Sequence, residues 1–230
     1  MDVAEFDRFA DAYHEMHRAN VAITGEAPEY FAEYKVRVLA GLAASLQVQP
    51  GRILDFGAGI GNSIPYFRRY FPDARLTGAD VSQRSLELAE ARFPGQADGL
   101  WIEAGHIPAG ADEFDLAFSA CVFHHIPHAE HAAWLQELHR VVRPGGMLAI
   151  FEHNPLNPLT VRAVNTCPFD ENAHLIRARQ LMARYRAAGW RQPEVRYHLF
   201  FPRLLSVLRP LERRLEAVPL GAQYSVTAIK

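Results

Sequence analysis

Residues 53–61 read Ile-Leu-Asp-Phe-Gly-Ala-Gly-Ile-Gly, an apolar run that ends in an acid and passes directly into three alternating glycines. Arg52 to Phe56 has the composition of a buried parallel strand, and Asn62 to Tyr70 the pattern of the helix that follows it. Gly57, Gly59 and Gly61 permit a sharp turn and let a ligand approach the backbone with no Cβ in the way. Strand, glycine turn and helix in this order point to an open α/β sheet, whose ligands sit at the carboxyl ends of the strands.

Spacing then separates nucleotide classes. A dinucleotide fingerprint, Gly-x-Gly-x-x-Gly, counted from Gly57 needs its third glycine at position 62. That position is Asn62, and Gly61 comes one residue early. Asp55, at the strand end, repels a pyrophosphate and attracts an ammonium group. A second run, Ala74 to Asp80, ends in another acid 25 residues beyond Asp55. Its two carboxylate oxygens are able to accept both hydroxyls of a ribose. Ser82 is placed to cap a helix over Gln83 to Arg92. Phe114 to Cys121 reads as a fourth strand, and Arg143 to Glu152 as a Pro-Gly-Gly turn into a fifth.

Taken together, these landmarks resemble the class I S-adenosylmethionine (SAM)-dependent methyltransferases of small molecules, over roughly residues 35–230. The resemblance implies a doubly wound α/β fold: a seven-stranded, mostly parallel Rossmann-like sheet whose last strand, Gln223 to Ile229, is antiparallel. It implies SAM as cofactor and S-adenosylhomocysteine (SAH) as product. Asp55, Gly57, Ala58, Gly59 and Gly61 would surround the amino-acid end, Asp80 the ribose and Val81 the adenine. His106 stands about where members often carry an acid for the adenine amino group, with Ile107 beside it. Ser119 lies at the end of strand four. An N-terminal helix, Glu5 to Arg18, would form a lid with the family's recurrent Phe-Asp-x-x-Ala-x-x-x-Tyr pattern, bringing Tyr13 to the methionine carboxylate. Three histidines are candidates for the acceptor side: His124 and His125 after strand four, with His125 the favoured base of the pair, and His153 after strand five. Two Asn-Pro steps hold the chain extended beyond His153.

No metal is expected. The magnesium-dependent members pair acids after strand four, where this chain has Ser119-Ala120-Cys121. Nor is nucleic acid, because Ser-Ala-Cys-Val replaces the Asn/Asp-Pro-Pro-Tyr run of DNA amino-methyltransferases and no basic-aromatic platform is present. A non-catalytic partner subunit would have lost glycines or acids that are intact here, and an aminopropyl transferase would carry an acidic loop after strand four.

The 230 residues suit one domain over 1–230, with 1–46 as a helical lid. No apolar run of 18 residues and no secretory start is seen, and Cys121 and Cys167 lack metal-ligand spacing, which fits a reduced, cytoplasmic monomer or homodimer. Charge is uneven: residues 1–150 carry 12 Lys+Arg against 20 Asp+Glu, and residues 151–230 carry 12 against 6. A basic second half suits an anionic acceptor or a membrane surface. Residues 202–221 exceed the short hairpin needed between the last two strands, and there leucines recur at near-helical steps beside Arg203, Arg209, Arg213 and Arg214. That segment is expected to be a helical insertion that packs on the domain, covers a lipid-like acceptor or touches a membrane peripherally.

Overall fold

The computed structural model describes residues 24–230. The expected lid helix and Tyr13 lie outside the described residues. In chain order the elements are α1 (Pro28–Ser45), β1 (Arg52–Phe56), α2 (Ile64–Tyr70), β2 (Arg75–Asp80), α3 (Gln83–Arg92), β3 (Asp98–Trp101), β4 (Phe114–Ala120), α4 (His131–Val141), β5 (Val142–His153), α5 (Pro158–Thr166), α6 (Ala178–Ala187), β6 (Arg191–His198), α7 (Glu212–Leu215) and β7 (Gln223–Ile229). Short 3₁₀ turns cover Phe123–His125, Pro168–Asp170 and Arg203–Leu211.

The seven strands form one sheet in the order β3-β2-β1-β4-β5-β7-β6. β1 pairs in parallel with β2 and with β4, whereas β7 runs antiparallel between β5 and β6. Side-chain alternation feeds two cores. Leu54, Phe56, Leu148 and Ile150 pack toward α4 and α6, while Ile53, Phe118, Phe151 and Met147 pack with Val36 and Leu39 of α1 and Phe67 of α2. Burial on both faces is the reason the central strands read as nearly continuous apolar runs.

One local expectation is revised. The Pro-Gly-Gly run is not a turn ahead of β5 but an irregularity inside it. The register with β4 jumps there from Phe114↔Val142 to Leu116↔Met147. Gly146 is required, because a Cβ would stand 2.8 Å from the carbonyl oxygens of both Arg143 and Asp115. The insertion is broken near Pro210, as a proline inside a helical pattern predicts: Arg203–Leu211 is 3₁₀, Glu212–Leu215 is α-helical, and none of Arg203–Leu211 is buried. It is tied down by polar groups. Glu212 Oε1 accepts the N–H groups of Phe200 and Phe201 at 2.9 and 3.1 Å, and Arg209 bonds Glu26 at 2.6 Å while lying over the Tyr30 ring.

Between β1 and β4 the strand order reverses direction, and the loops leaving their carboxyl ends diverge. A cavity of about 840 Å³ opens there.

Candidate active site

The glycine loop forms the floor of one half of the cavity. Gly57, Gly59 and Gly61 all have positive φ, at 76°, 52° and 77°. Their roles differ. A Cβ on Gly57 would stand 2.3 Å from Val122 Cγ2, and one on Gly61 2.7 Å from Ile64 Cδ1, so these two are needed for close packing. Among the described residues nothing lies within 4 Å of the same position on Gly59. The loop is pinned to β2, because Gly57 and Ala58 N–H donate to the Ala79 carbonyl and Gly59 N–H donates to Asp80 Oδ2 at 2.8 Å. Ser82 N–H donates to the other oxygen of Asp80 at 2.9 Å, and Ser82 Oγ caps α3 by accepting from Ser85 N–H.

Asp55 lies at the head of this loop, 3% exposed, and lines the cavity. Among the described residues no hydrogen bond or ion pair holds its carboxylate. Burial, with a smaller contribution from the negative Asp80, pushes its pKa up to about 7. A buried carboxylate left in this state is what a cationic ligand group would neutralise.

Asp55, Gly57, Ala58, Gly59, Asp80 and Val81 all line the cavity, as do His124, His125 and His153. Four other expected site residues do not. Gly61 packs under α3, Ser119 is wholly buried within β4, and Ile107 is wholly buried with its N–H on Glu137. His106 points away from the cavity to Glu137, 2.8 Å from its Oε1, because positive φ at Ala104 and Gly105 turns the chain outward after β3. Ile102, one residue past β3, reaches the cavity wall instead.

The opposite half is built from the ends of β4 and β5. Cys121, at the end of β4, holds a strained φ of 59° and lets the chain turn into the Phe123–His125 3₁₀ turn. Glu152, fully buried near the end of β5, organises that turn. Its Oε1 accepts N–H groups from Val122 and Phe123 at 3.1 and 2.8 Å, and its Oε2 accepts from His124 Nδ1 at 2.6 Å. Asp170 closes the group from the far side, with Oδ1 at 3.5 Å from His124 Nε2 and 3.4 Å from His125 Nε2.

Charge is distributed unevenly over these groups. Burial opposes the His124 imidazolium, but the attraction of Glu152 and the bonds to Asp170 and Glu152 outweigh it and hold its pKa well above the usual value. Burial also opposes ionisation of Asp170, yet its bonds to His124 and His125 hold it well below the carboxylate range. His153, with its ring centroid 5.2 Å from that of His124, is pushed down to about 4 by burial and then by the charge on His124. His153 is therefore neutral at pH 7.

The Asn-Pro loop after His153 serves the scaffold. Asn154 Nδ2 donates to the carbonyls of Pro219 and Gly221, and Asn157 caps α5 while donating to Leu220 O. Two further cavity residues escaped the sequence reading. One is Asp170. The other is Lys35 of α1, 8% exposed, which makes no hydrogen bond or ion pair among the described residues. Its ammonium acts electrostatically on Cys121 and His153, which places it toward the histidine half.

With this geometry in hand, comparison with known proteins is direct. Residues 53–146 match the family described as "Methyltransferase domain". Trans-aconitate 2-methyltransferase of Azoarcus sp. (strain BH72) is 33% identical over 162 residues, covering 70% of this chain and 62% of the relative. The enzyme of the same name from Methylobacterium radiotolerans is 36% identical over 121 residues, covering 52% of this chain and 45% of the relative. The chain thus spans about half the length of the curated relatives it matches. A SAM-dependent methyltransferase from Thermotoga maritima, a possible histamine N-methyltransferase, shares the fold with a TM-score of 0.69 over 99% of both chains, at 20% identity. Among the described residues no helix is long and apolar enough to cross a membrane.

Proposed function

The chain belongs to the class I, Rossmann-like SAM-dependent methyltransferases, and on that premise we propose that it methylates a small anionic acceptor bound in the histidine-lined half of the cavity. The observation that carries this reading is Asp55: a buried carboxylate that, among the described residues, has no hydrogen-bond or ion-pair partner, at the head of a glycine loop whose Gly59 has no described neighbour against its Cβ position. That arrangement fits a ligand bearing an ammonium group close to the backbone. Asp80, oriented by the N–H groups of Gly59 and Ser82, lines the cavity wall where its carboxylate would accept ribose hydroxyls. Val81 and Ile102 offer apolar walls for a base.

When bound, SAM supplies a methyl group activated on a sulfonium. The residues of this chain would hold the acceptor in line with it, and positioning of that kind is worth roughly 7–11 kcal/mol of barrier. Lys35 is the buried cation that would meet the acceptor's negative charge, and the trans-aconitate relatives carry an anionic acceptor in their name. His153, neutral and lining the cavity at the end of β5, would take the proton of a hydroxyl or amine nucleophile. A carboxylate acceptor would need no base.

The rim of the cavity supports an acceptor with an apolar, lipid-like part. Leu159 lines the mouth and is 73% exposed, and Leu204, Val207 and Leu220 are exposed on the insertion beside it. The test is SAH release from SAM against carboxylic acids, phenols and amines of graded hydrophobicity. Turnover of an anionic acceptor that falls at least tenfold in Lys35→Met supports the reading, and turnover restricted to cationic acceptors sinks it. For a hydroxyl or amine acceptor His153→Ala should lose on the order of 10²–10⁴ in rate.

A further inference from the structure

This mechanism leaves three groups without a task. His124, His125 and Asp170 come from the loop after β4 and from the 3₁₀ turn after α5, and they converge on the histidine half of the cavity. One ligand atom from each lies within 4.8 Å of the other two. The geometry points to a divalent transition-metal site made by His124 Nε2, His125 Nε2 and Asp170 Oδ1, open to the cavity and placed to hold an oxygen of the acceptor.

Three observations support it independently. The two nitrogen–oxygen separations, 3.5 and 3.4 Å, are long for hydrogen bonds. They match the edge of a tetrahedron around an ion, roughly 3.4 Å for ligand bonds near 2.1 Å. Next, Glu152 does for His124 what a supporting carboxylate does for a metal-bound histidine. It accepts the Nδ1 proton at 2.6 Å, fixing the ring so that Nε2 faces Asp170, and a bound ion would displace the proton that Nε2 carries in the empty site. Glu152 is itself locked by the Val122 and Phe123 N–H groups, so the ligand ring is held before any ion arrives. Third, three protein ligands facing a cavity leave a coordination position for a substrate atom, as catalytic sites do and closed structural sites do not.

Imidazole with one carboxylate selects zinc, manganese, iron(II) or cobalt rather than magnesium or calcium, which favour oxygen ligands throughout. An ion here would share the histidine half of the cavity with Lys35, and the two together would give the acceptor's oxygen-rich end a positive pocket. The ion's presence rests on the protein ligands alone. What it holds rests on the acceptor reading above.

The experiment titrates Co²⁺ into the metal-stripped full chain, followed by its visible d–d bands, with bound metal counted by elemental analysis. One ion per chain is expected, without thiolate charge-transfer bands from Cys121. Asp170→Asn should weaken binding at least tenfold, and Glu152→Gln, which touches no ion, roughly 10–100-fold. His153→Ala should leave it unchanged. SAH calorimetry on each variant reports whether the fold and cofactor half survive. Should Asp170→Asn fail to bind SAH, His125→Ala replaces it. Equal cobalt affinity in wild type and the ligand variants, or thiolate bands, overturns the site. That result, with SAH still bound, would leave methyl transfer standing and remove the ion. Loss of SAH binding by the wild type would instead strike the functional reading.

Discussion

With Asp55 against the cofactor's ammonium as proposed, cofactor affinity should depend on pH. In the unliganded protein its pKa is pushed up to about 7 by burial and by Asp80, from an ordinary value of 3.8. An ammonium bound against it favours the ionised form, so binding releases a proton wherever the free carboxyl is protonated. At pH 6 a group of pKa about 7 is roughly nine-tenths protonated, so binding should release about 0.9 proton. Between pH 7.5 and 5.5 the ionised fraction falls about 25-fold, and the SAH dissociation constant should rise by that factor, roughly 1.9 kcal/mol. The stability of the empty protein moves the other way. A carboxyl with a raised folded-state pKa contributes most below the unfolded value near 4 and loses that contribution as pH rises through 7. Relative to Asp55→Asn, the wild type without ligand should lose up to about 4 kcal/mol between pH 4 and 8. Calorimetry in buffers of different ionisation enthalpy gives the proton count directly. A dissociation constant flat from pH 5.5 to 7.5, or the same slope in Asp55→Asn, would refute the reasoning.

Four other perturbations probe separate parts of the account. Asp80→Ala should weaken SAH by about 1.5–3 kcal/mol, the range for hydrogen bonds to a charged group, and an unchanged dissociation constant would remove it from the site. Gly57→Ala sets a Cβ against Val122 at positive φ and should destabilise the fold by about 2–5 kcal/mol in thermal denaturation. Gly59→Ala, with no described neighbour against its Cβ, should cost about 1–2 kcal/mol of stability yet impair SAH binding more than Gly57→Ala does per unit of stability lost. Finally, exposed Leu204 and Val207, flanked by exposed Arg203, Arg213 and Arg214, should sediment the protein with anionic vesicles at low salt. Leu204→Asp with Val207→Asp should abolish this, and no wild-type sedimentation would confine the insertion to the cavity rim.

Much of the frame was legible because its punctuation is chemical. Arg52–Phe56, Gln83–Arg92 and Gln223–Ile229 begin and end where expected, since acids, glycines, a serine cap and alternating burial mark their limits. Limits set by packing carry no such mark: β6 ends at His198, although the apolar run continues into Phe200 and Phe201, which line the cavity as loop. Asp170 was hidden by tertiary structure. It lies 45 positions beyond His125, and no local spacing connects them. Lys35 left a faint trace, falling four residues after Phe31 and four before Leu39 on the inward stripe of α1. A polar residue on a buried stripe is a signal for a ligand-facing group. His106 misled because two positive-φ residues after β3, Ala104 and Gly105, turn the chain outward where the sequence reads as a simple continuation.

The most direct test of the central claim is a crystal structure of the chain with SAH. The account predicts the ligand's ammonium against Asp55, its ribose hydroxyls on Asp80, its base between Val81 and Ile102, and its sulfur facing the half lined by His124, His125 and His153. SAH bound with its amino-acid end away from Asp55, or a cavity that stays empty at saturating SAH, would contradict it.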